Sequence, residues 1–379
     1  MKADRNNRSS RCWKIVKSAG SFLLVLGGWP VLASGQTSWE NEWQKVQAAA
    51  RNEGKIVISI PPSPELRKAL EGALKQKFGI EAESLAGAGS QTTRRIADEY
   101  QAGVNYVDVH ISTIDNLMDR LLPMKAVEPL ESYWILPEVK DPKNWWGGHI
   151  WTDNARRYAY APMAYMLDSI WYNASLVKPE EVRSFNDLLN PKWKGKIGLF
   201  DPRIGGAGIG MWGFLWSTKG EEYLKKLVGQ KLLIGDRRVI ADALARGKLA
   251  VTIGASYYSF ASFLKAGLPV KPFPTLAEGT YASVGNGGPV ILKNHRHPNA
   301  SKVFVNWLLS KAGQEVYAKA FGQATRRLDV DTKWMAEIGT SAAKDFITVE
   351  QFYKWENQSE DKIRTVREPA RQFAQKILP

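Results

Sequence analysis

The sequence predicts an α/β protein of two lobes, each a mainly parallel sheet flanked by helices. Three observations carry this expectation. The folded part opens on a βαβαβ alternation, a second α/β alternation follows with no Pro/Ser linker between them, and about 346 of the 379 residues remain once an N-terminal leader is set aside. That length is enough for two medium hydrophobic cores.

The elements follow in order. Lys55–Ile60 (KIVISI) reads as a strand, Pro64–Phe78 as a helix ended by Gly79, and 80–85 as a second strand. Gly87 to Gly89 opens a helix over 91–102, and 107–111 (VDVHI) is a third strand. Such an order implies a parallel sheet with ligands at the carboxyl ends of its strands. In the second unit, 158–166 and 170–172 read as extended, 184–189 as a short helix and 198–200 as a buried strand. The turn at 201–208 then leads into a helix over 209–217, with another at 221–227. A strand-like stretch at 232–234 precedes a helix over 239–246 closed by Gly247, and a strand follows at 249–253. Pro289–Leu292 is a strand, 300–321 holds two helices broken at Gly313, and 349–377 reads as further helix.

The leader sets the compartment. Lys2, Arg5, Arg8, Arg11, Lys14 and Lys17 make a basic start, 22–26 begins a short apolar run, and Val31-Leu32-Ala33 supplies small residues. This is the pattern of a cleavable secretory signal over 1–33, cut between about 33 and 36, with the mature protein in the periplasm. Gly27, Gly28 and Pro30 interrupt the apolar run well short of the roughly 20 residues that a bilayer span needs. Cys12, the one cysteine, precedes the apolar run and so cannot serve as a lipoprotein acceptor. The mature chain needs no disulfide staple at this size. Losing six basic residues and Asp4 with the leader leaves 46 basic and 37 acidic residues, a net charge of +9. Lys and Arg are interleaved with Glu and Asp, as on solvated helix faces, which argues against a nucleic-acid partner.

Several motifs bear on small-molecule chemistry. The turn Gly205-Gly206-Ala207-Gly208 precedes a helix, so its N–H groups can approach a ligand and the helix N-terminus favours an anion, although a glycine run before a helix is often only a tight turn. Gly87-Ala88-Gly89-Ser90 repeats the arrangement. Arg237-Arg238 stands before a helix, where a guanidinium forks onto a carboxylate or phosphate or merely caps a solvated end. Arg94-Arg95 is read toward the surface. Tyr257-Tyr258 follows a strand end, where phenolates suit a hard cation, ring and hydroxyl suit an organic ligand, and a rim aromatic needs no function. Enzymatic patterns are absent: the four histidines form no His-Glu-x-x-His, there is no Gly-x-Ser-x-Gly elbow, and the mature chain has no thiol. The fifteen tryptophans fall mostly at apolar helical positions or beside Pro and Gly, which suits core packing.

Taken together, VDV at 107–109, NPKWKGKIG at 190–198, Asp201-Pro202, the Gly205 turn, ALARGKLA at 243–250 and ASKVFVNWL at 300–308 resemble the extracellular solute-binding proteins of ABC transporters, in the ferric-iron-binding branch. The resemblance covers about 55–327. It implies a type II periplasmic-binding-protein fold, with lobe 1 from 37–155 plus 285–325, lobe 2 from 156–284, and a C-terminal helical segment, 326–379, packed on the lobes. In the iron-binding members a histidine after the first strand, an acid after the third and two adjacent tyrosines hold the metal. Here no histidine stands at 61–63 and no carboxylate at Ser112-Thr113, leaving Tyr257 and Tyr258. Arg237 stands where asparagine is common. The expected ligand site is Ser63, Gly89, Ser90, Ser112, Thr113, Gly205, Gly206, Ala207, Arg237, Arg238, Tyr257 and Tyr258. The implied function is a periplasmic component of an ABC importer that closes as a hinge on a small anionic or zwitterionic organic solute and delivers it to an inner-membrane permease. Ferric iron with a synergistic anion is the alternative, and a secreted hydrolase a more distant one. A monomer, no cofactor and no enzymatic activity are expected.

Overall fold

The computed structural model describes residues 37–379 apart from Asp168 and Gly287, so the signal and Cys12 lie outside the described residues. Ser38–Pro379 forms one compact unit, in which no described helix is long and apolar enough to cross a membrane. Helix α1 (Ser38–Glu53) is followed by β1 (Lys55–Ile60), α2 (Pro64–Phe78), β2 (Glu81–Ala86), α3 (Gly89–Gln101) and β3 (Val109–Ile111). The cause of the α2 boundaries is local. Ser63 Oγ accepts from Leu66 N at 3.2 Å, Pro64 occupies the first turn, and Gly79 closes the helix at φ 72°. The third strand is two residues shorter than its apolar pattern, because Asp108 turns inward to accept from Val57 N at 2.7 Å and from His297 Nδ1 at 2.8 Å.

After β3 come α4 (Ile114–Asn116), β4 (Val127–Glu128) and α5 (Pro137–Lys140). Strands β1, β2 and β3 pair in parallel. A late strand, Pro289–Leu292, inserts antiparallel between β3 and β4 to complete a five-stranded sheet. β1 is buried along nearly its whole length, as a strand covered on both faces should be.

A second five-stranded sheet is built from β6 (Ile170–Asn173), β7 (Ile197–Phe200), β8 (Leu233–Gly235), β9 (Val251–Ile253) and β10 (Val270–Pro272), in the order β10-β6-β9-β7-β8. β7, β8 and β9 are parallel, whereas β6 runs antiparallel to β9 and β10. Its helices are α6 (Ala207–Val228), α7 (Arg237–Ala245) and α8 (Tyr257–Lys265). As expected from 209–217 and 221–227, α6 is two helical runs, separated at Gly220, whose φ 75° and ψ 174° are not helical. α7 starts at Arg237, two residues before the expected 239, because Asp236 accepts from Val239 N at 3.0 Å and caps it there.

Both passages between the two large sheets meet in a third. β5 (Tyr165–Leu167) precedes β6, β11 (Ala282–Ser283) precedes β12 (Pro289–Leu292), and both join β13 (Thr340–Ala342) in an antiparallel sheet of order β11-β5-β13. The pair α9 (Pro298–Leu309) and α10 (Lys311–Phe321) packs on the first sheet; Glu53 caps α9 by accepting from Asn299 N and Ala300 N. The break between them lies at Ser310 and not at Gly313, since Ser310 Oγ caps α10 by accepting from Gly313 N. Gly313 is inside α10, where a Cβ would lie 1.9 Å from the Trp307 carbonyl. After β13 comes α11 (Ala343–Phe346), and the stretch expected as helix over 349–377 holds α12 (Val349–Trp355) and then α13 (Glu360–Lys362), which runs through a π turn at Ile363–Arg367 into α14 (Glu368–Ile377). It breaks because each short helix has its own cap, Thr348 at α12 and Ser359 at α13.

Candidate functional site

Two adjoining cavities sit where the strand ends of both sheets face the third sheet. The inner one, open to solvent, is lined by Thr113 after β3, Gly206 and Ala207 at the start of α6, Ser256 and Tyr258 at the start of α8, and Arg367 from the C-terminal segment. Tyr165, Tyr281, Ser283, Gln323 and Gln358 complete its walls. Among the described residues its lining holds one cation and no carboxylate or imidazole.

Local sequence explains the α6 start. Asp201 accepts from Arg203 N at 2.9 Å and from the Arg203 guanidinium at 2.8 Å, holding the turn that brings the chain off β7. Gly205 and Gly206 take φ 104° and 69°, a region that favours glycine, and so aim the first N–H groups of α6 outward. A Cβ at Gly208 would meet the Phe200 carbonyl at 2.8 Å, so α6 can lie this close to β7 only with glycine there. Unpaired N–H groups and the helix dipole together make this end of the cavity attractive to an anion.

The opposite wall is polar and buried. Ser256 Oγ is buried with no partner among the described residues. Burial raises the Tyr281 phenol to about 12 against the opposing charge of Arg367, and raises Tyr165 well above its ordinary value. Both therefore face the cavity as neutral hydroxyls. Gln358 accepts from Ser283 Oγ at 2.7 Å and Val284 N at 2.9 Å and donates to Gly285 O at 3.0 Å, which fixes the β11 side of the wall.

The outer cleft is the roomier of the two, is open to solvent and shares Tyr258 with the inner cavity. Ser63, Arg237, Arg238, Tyr257 and Lys319 line it, with Glu65 as its one acid. The Arg237 guanidinium lies 4.7 Å over the Tyr258 ring and donates to Pro62 O at 3.3 Å. Tyr258 stacks in turn on Phe321, with centroids 5.0 Å apart. Arg237 thus joins α7 to the loop after β1 across the cleft mouth.

The structure divides the expected site residues. Thr113, Gly206, Ala207 and Tyr258 meet at the inner cavity, while Ser63, Arg237, Arg238 and Tyr257 face the outer cleft together with Tyr258. Gly89, Ser90, Ser112 and Gly205 line neither. Gly89 instead packs where a Cβ would lie 2.8 Å from Ser112 Oγ, and Ser112 accepts from Asn116 Nδ2 at 3.0 Å. Sequence reasoning missed Arg367, Gln358, Gln323, Tyr165 and Tyr281, which come from the tail, the loop after α10, β5 and the residue before β11 and share no spacing.

A family model described as bacterial extracellular solute-binding protein matches residues 55–321. The chain belongs to this family. As a solute-binding protein it serves an importer, taking up a small-molecule solute outside the membrane for an ABC permease. A Haemophilus influenzae protein described only as uncharacterized is 23% identical over 282 residues, covering 72% of this chain and 77% of that one. Among solved structures, the periplasmic binding protein P5PA superposes with TM-score 0.62 at 20% identity, covering 83% of this chain and 98% of that one. Iron-bound HitA from Pseudomonas aeruginosa gives 0.62 at 17%, covering 86% and 99%. AfuA from Actinobacillus pleuropneumoniae, described with fructose-6-phosphate bound, gives 0.60 at 21%, covering 85% and 99%. These likenesses establish the two-lobed periplasmic-binding-protein fold for this solute-binding protein.

Proposed function

We propose that this protein captures a small anionic or zwitterionic organic solute between two hinged lobes in the periplasm, as the binding component of an ABC importer. The observation that carries the reading is the inner cavity's lining, in which the α6 N-terminus and one guanidinium face hydroxyls and amides, with no carboxylate among the described residues. Such a lining favours a carboxylate or phosphate, because each donor strengthens on charge. The two five-stranded sheets support lobes drawn at 37–155 plus 285–325 and at 156–284. Export through the cleavable leader, a monomeric state, and no catalytic or nucleic-acid role belong to the same reading. Mass spectrometry of small molecules released from protein purified under native conditions should find a carboxylate- or phosphate-bearing solute. A neutral sugar or a cationic amine there would overturn the reading.

One observation favours a second reading. Three phenols, Tyr165, Tyr258 and Tyr281, line the same cavity, and phenolates are ligands for ferric iron. In that case the anion turn at Gly206–Ala207 holds a synergistic anion beside the metal. Ferric loading should then give a tyrosinate-to-iron visible absorbance that Tyr258→Phe abolishes. Under the organic-anion reading no band forms, and Tyr258→Phe costs about one hydrogen bond, near 1 kcal/mol.

A further inference from the structure

We infer that the C-terminal segment, which lies beyond the residues matched by the family model, is part of the solute site, and that Arg367 with its counter-charge Asp115 sets how strongly the site holds an anion. The inference rests on the anionic-solute reading and assigns it to named side chains.

Arg367 is 1% exposed, yet it lines the inner cavity. Its Nη1 donates to both Asp115 oxygens, at 3.0 and 2.9 Å, and its Nε and Nη2 donate to Asn357 Oδ1 at 3.2 and 2.9 Å. A guanidinium has five N–H donors. The four contacts use three of them, because one Nη1 hydrogen is shared between both Asp115 oxygens, and so leave one hydrogen on each Nη without a described partner, on a residue that lines the cavity. Asp115 is not in the lining and so stands behind the guanidinium.

The frame around Arg367 is as fixed as a site requires. Asn357 Nδ2 donates to Gly210 O in α6 at 2.8 Å, and Trp212 Nε1 of α6 donates to the Ala370 carbonyl at 2.9 Å. The segment is therefore fastened to the helix whose N-terminus forms the other anion-attracting wall. A donor whose rotamer is locked by buried partners loses little freedom on binding, which is how a rigid site gains affinity and selectivity. With Asp115 cancelling much of the Arg367 charge, the cavity supplies a directed donor without a full positive charge. Removing the Asp115 charge should then strengthen anion binding, the opposite of what a purely structural ion pair predicts.

The test uses inorganic phosphate as probe, by calorimetry on the full mature chain. Arg367→Gln alone leaves the buried Asp115 carboxylate with only the longer Arg371 contact at 3.6 Å, so the pair is neutralised together. Asp115→Asn with Arg367→Gln is expected to weaken phosphate binding at least ten-fold with an unchanged circular dichroism spectrum. Asp115→Asn alone should tighten it about three-fold or more. In the wild-type protein carrying isotope-labelled arginine, a buried guanidinium resonance should shift on phosphate addition, a readout independent of variant folding. If the wild type binds phosphate but the double variant binds equally well, or no buried guanidinium resonance moves, Arg367 is structural and the inference fails while the anionic reading stands. If the wild type binds no phosphate at millimolar concentration, both fall.

Discussion

At the scale of single residues, Arg237 shows how a side chain expected to grip the ligand takes part in the site's geometry. As the first residue of α7 its charge opposes the helix dipole, which disfavours a cation at an N-terminus. What offsets that is the face of Tyr258 at 4.7 Å and the Pro62 carbonyl across the mouth. The Pro62 contact exists only when α7 and the loop after β1 are close, so Arg237 stabilises the closed arrangement. Arg237→Ala is expected to raise the solute dissociation rate about ten-fold, the equivalent of one charged hydrogen bond, with little change in apo stability. Stopped-flow displacement of the co-purified solute checks this, and an unchanged off-rate would make the contact incidental. His110 offers a different residue-scale prediction. It is fully buried, with Thr93 Oγ1 2.9 Å from Nε2, and burial lowers its pKa from 6.5 to about 4. Between those values the unfolded chain binds a proton that the folded chain refuses, so stability is full above pH 6.5 and falls as pH drops toward 4. The loss from this group is about 3 kcal/mol. Urea unfolding at pH 7 and pH 4.5 should show it, His110→Asn should flatten that slope, and an imidazole signal titrating near 6.5 in the folded protein would contradict it.

At the scale of elements, what was legible in the sequence follows from where each boundary signal resides. The α2 boundaries read off to the residue because cap, Pro and terminal Gly are all contiguous. The α7 start slipped by two residues because a capping Asp followed by two arginines does not resemble an apolar helical period. Gly313 misled for a sharper reason: its glycine serves packing against the Trp307 carbonyl, not a chain break, and that carbonyl belongs to the preceding helix. Gly72 is the internal comparison, a helical glycine in α2 with open space about its would-be Cβ. Gly313→Ala should therefore destabilise by about 1 to 3 kcal/mol through overpacking. Gly72→Ala should stabilise by about 0.5 to 1 kcal/mol through lower chain entropy. Denaturant midpoints of the two variants separate these, and equal shifts would mean the α9–α10 junction yields freely. The site was half legible by the same logic. Gly206–Ala207 and Tyr258 sit at turns beside strand ends, whereas Arg367, Gln358 and Tyr165 are assembled from distant segments whose only shared feature is the third sheet and its attached tail.

At the scale of the molecule, the third sheet is the mechanical part. Both crossings between the large sheets, β5 and β11, are strands of it, and β13 from the tail pairs with β5, so a hinge motion must pass through these hydrogen bonds. Antiparallel pairs of two or three residues can twist without breaking register, which lets two rigid sheets rock about a short ordered joint. The tail also holds Asp115 beside β3 through Arg367 and α6 through Trp212, linking elements on either side of the inner cavity. A solute that touches both the α6 N-terminus and Thr113 after β3 has contacts available only in the closed form, and it shifts the population by that difference in affinity. Small-angle scattering should show a smaller radius of gyration when the co-purified solute is added back to stripped protein. Asp115→Asn with Arg367→Gln should lessen the change, because the tail no longer ties β3 to α6. Identical profiles with and without solute would mean a rigid cleft, and Arg237 would then act as a fixed rim contact and not as a latch.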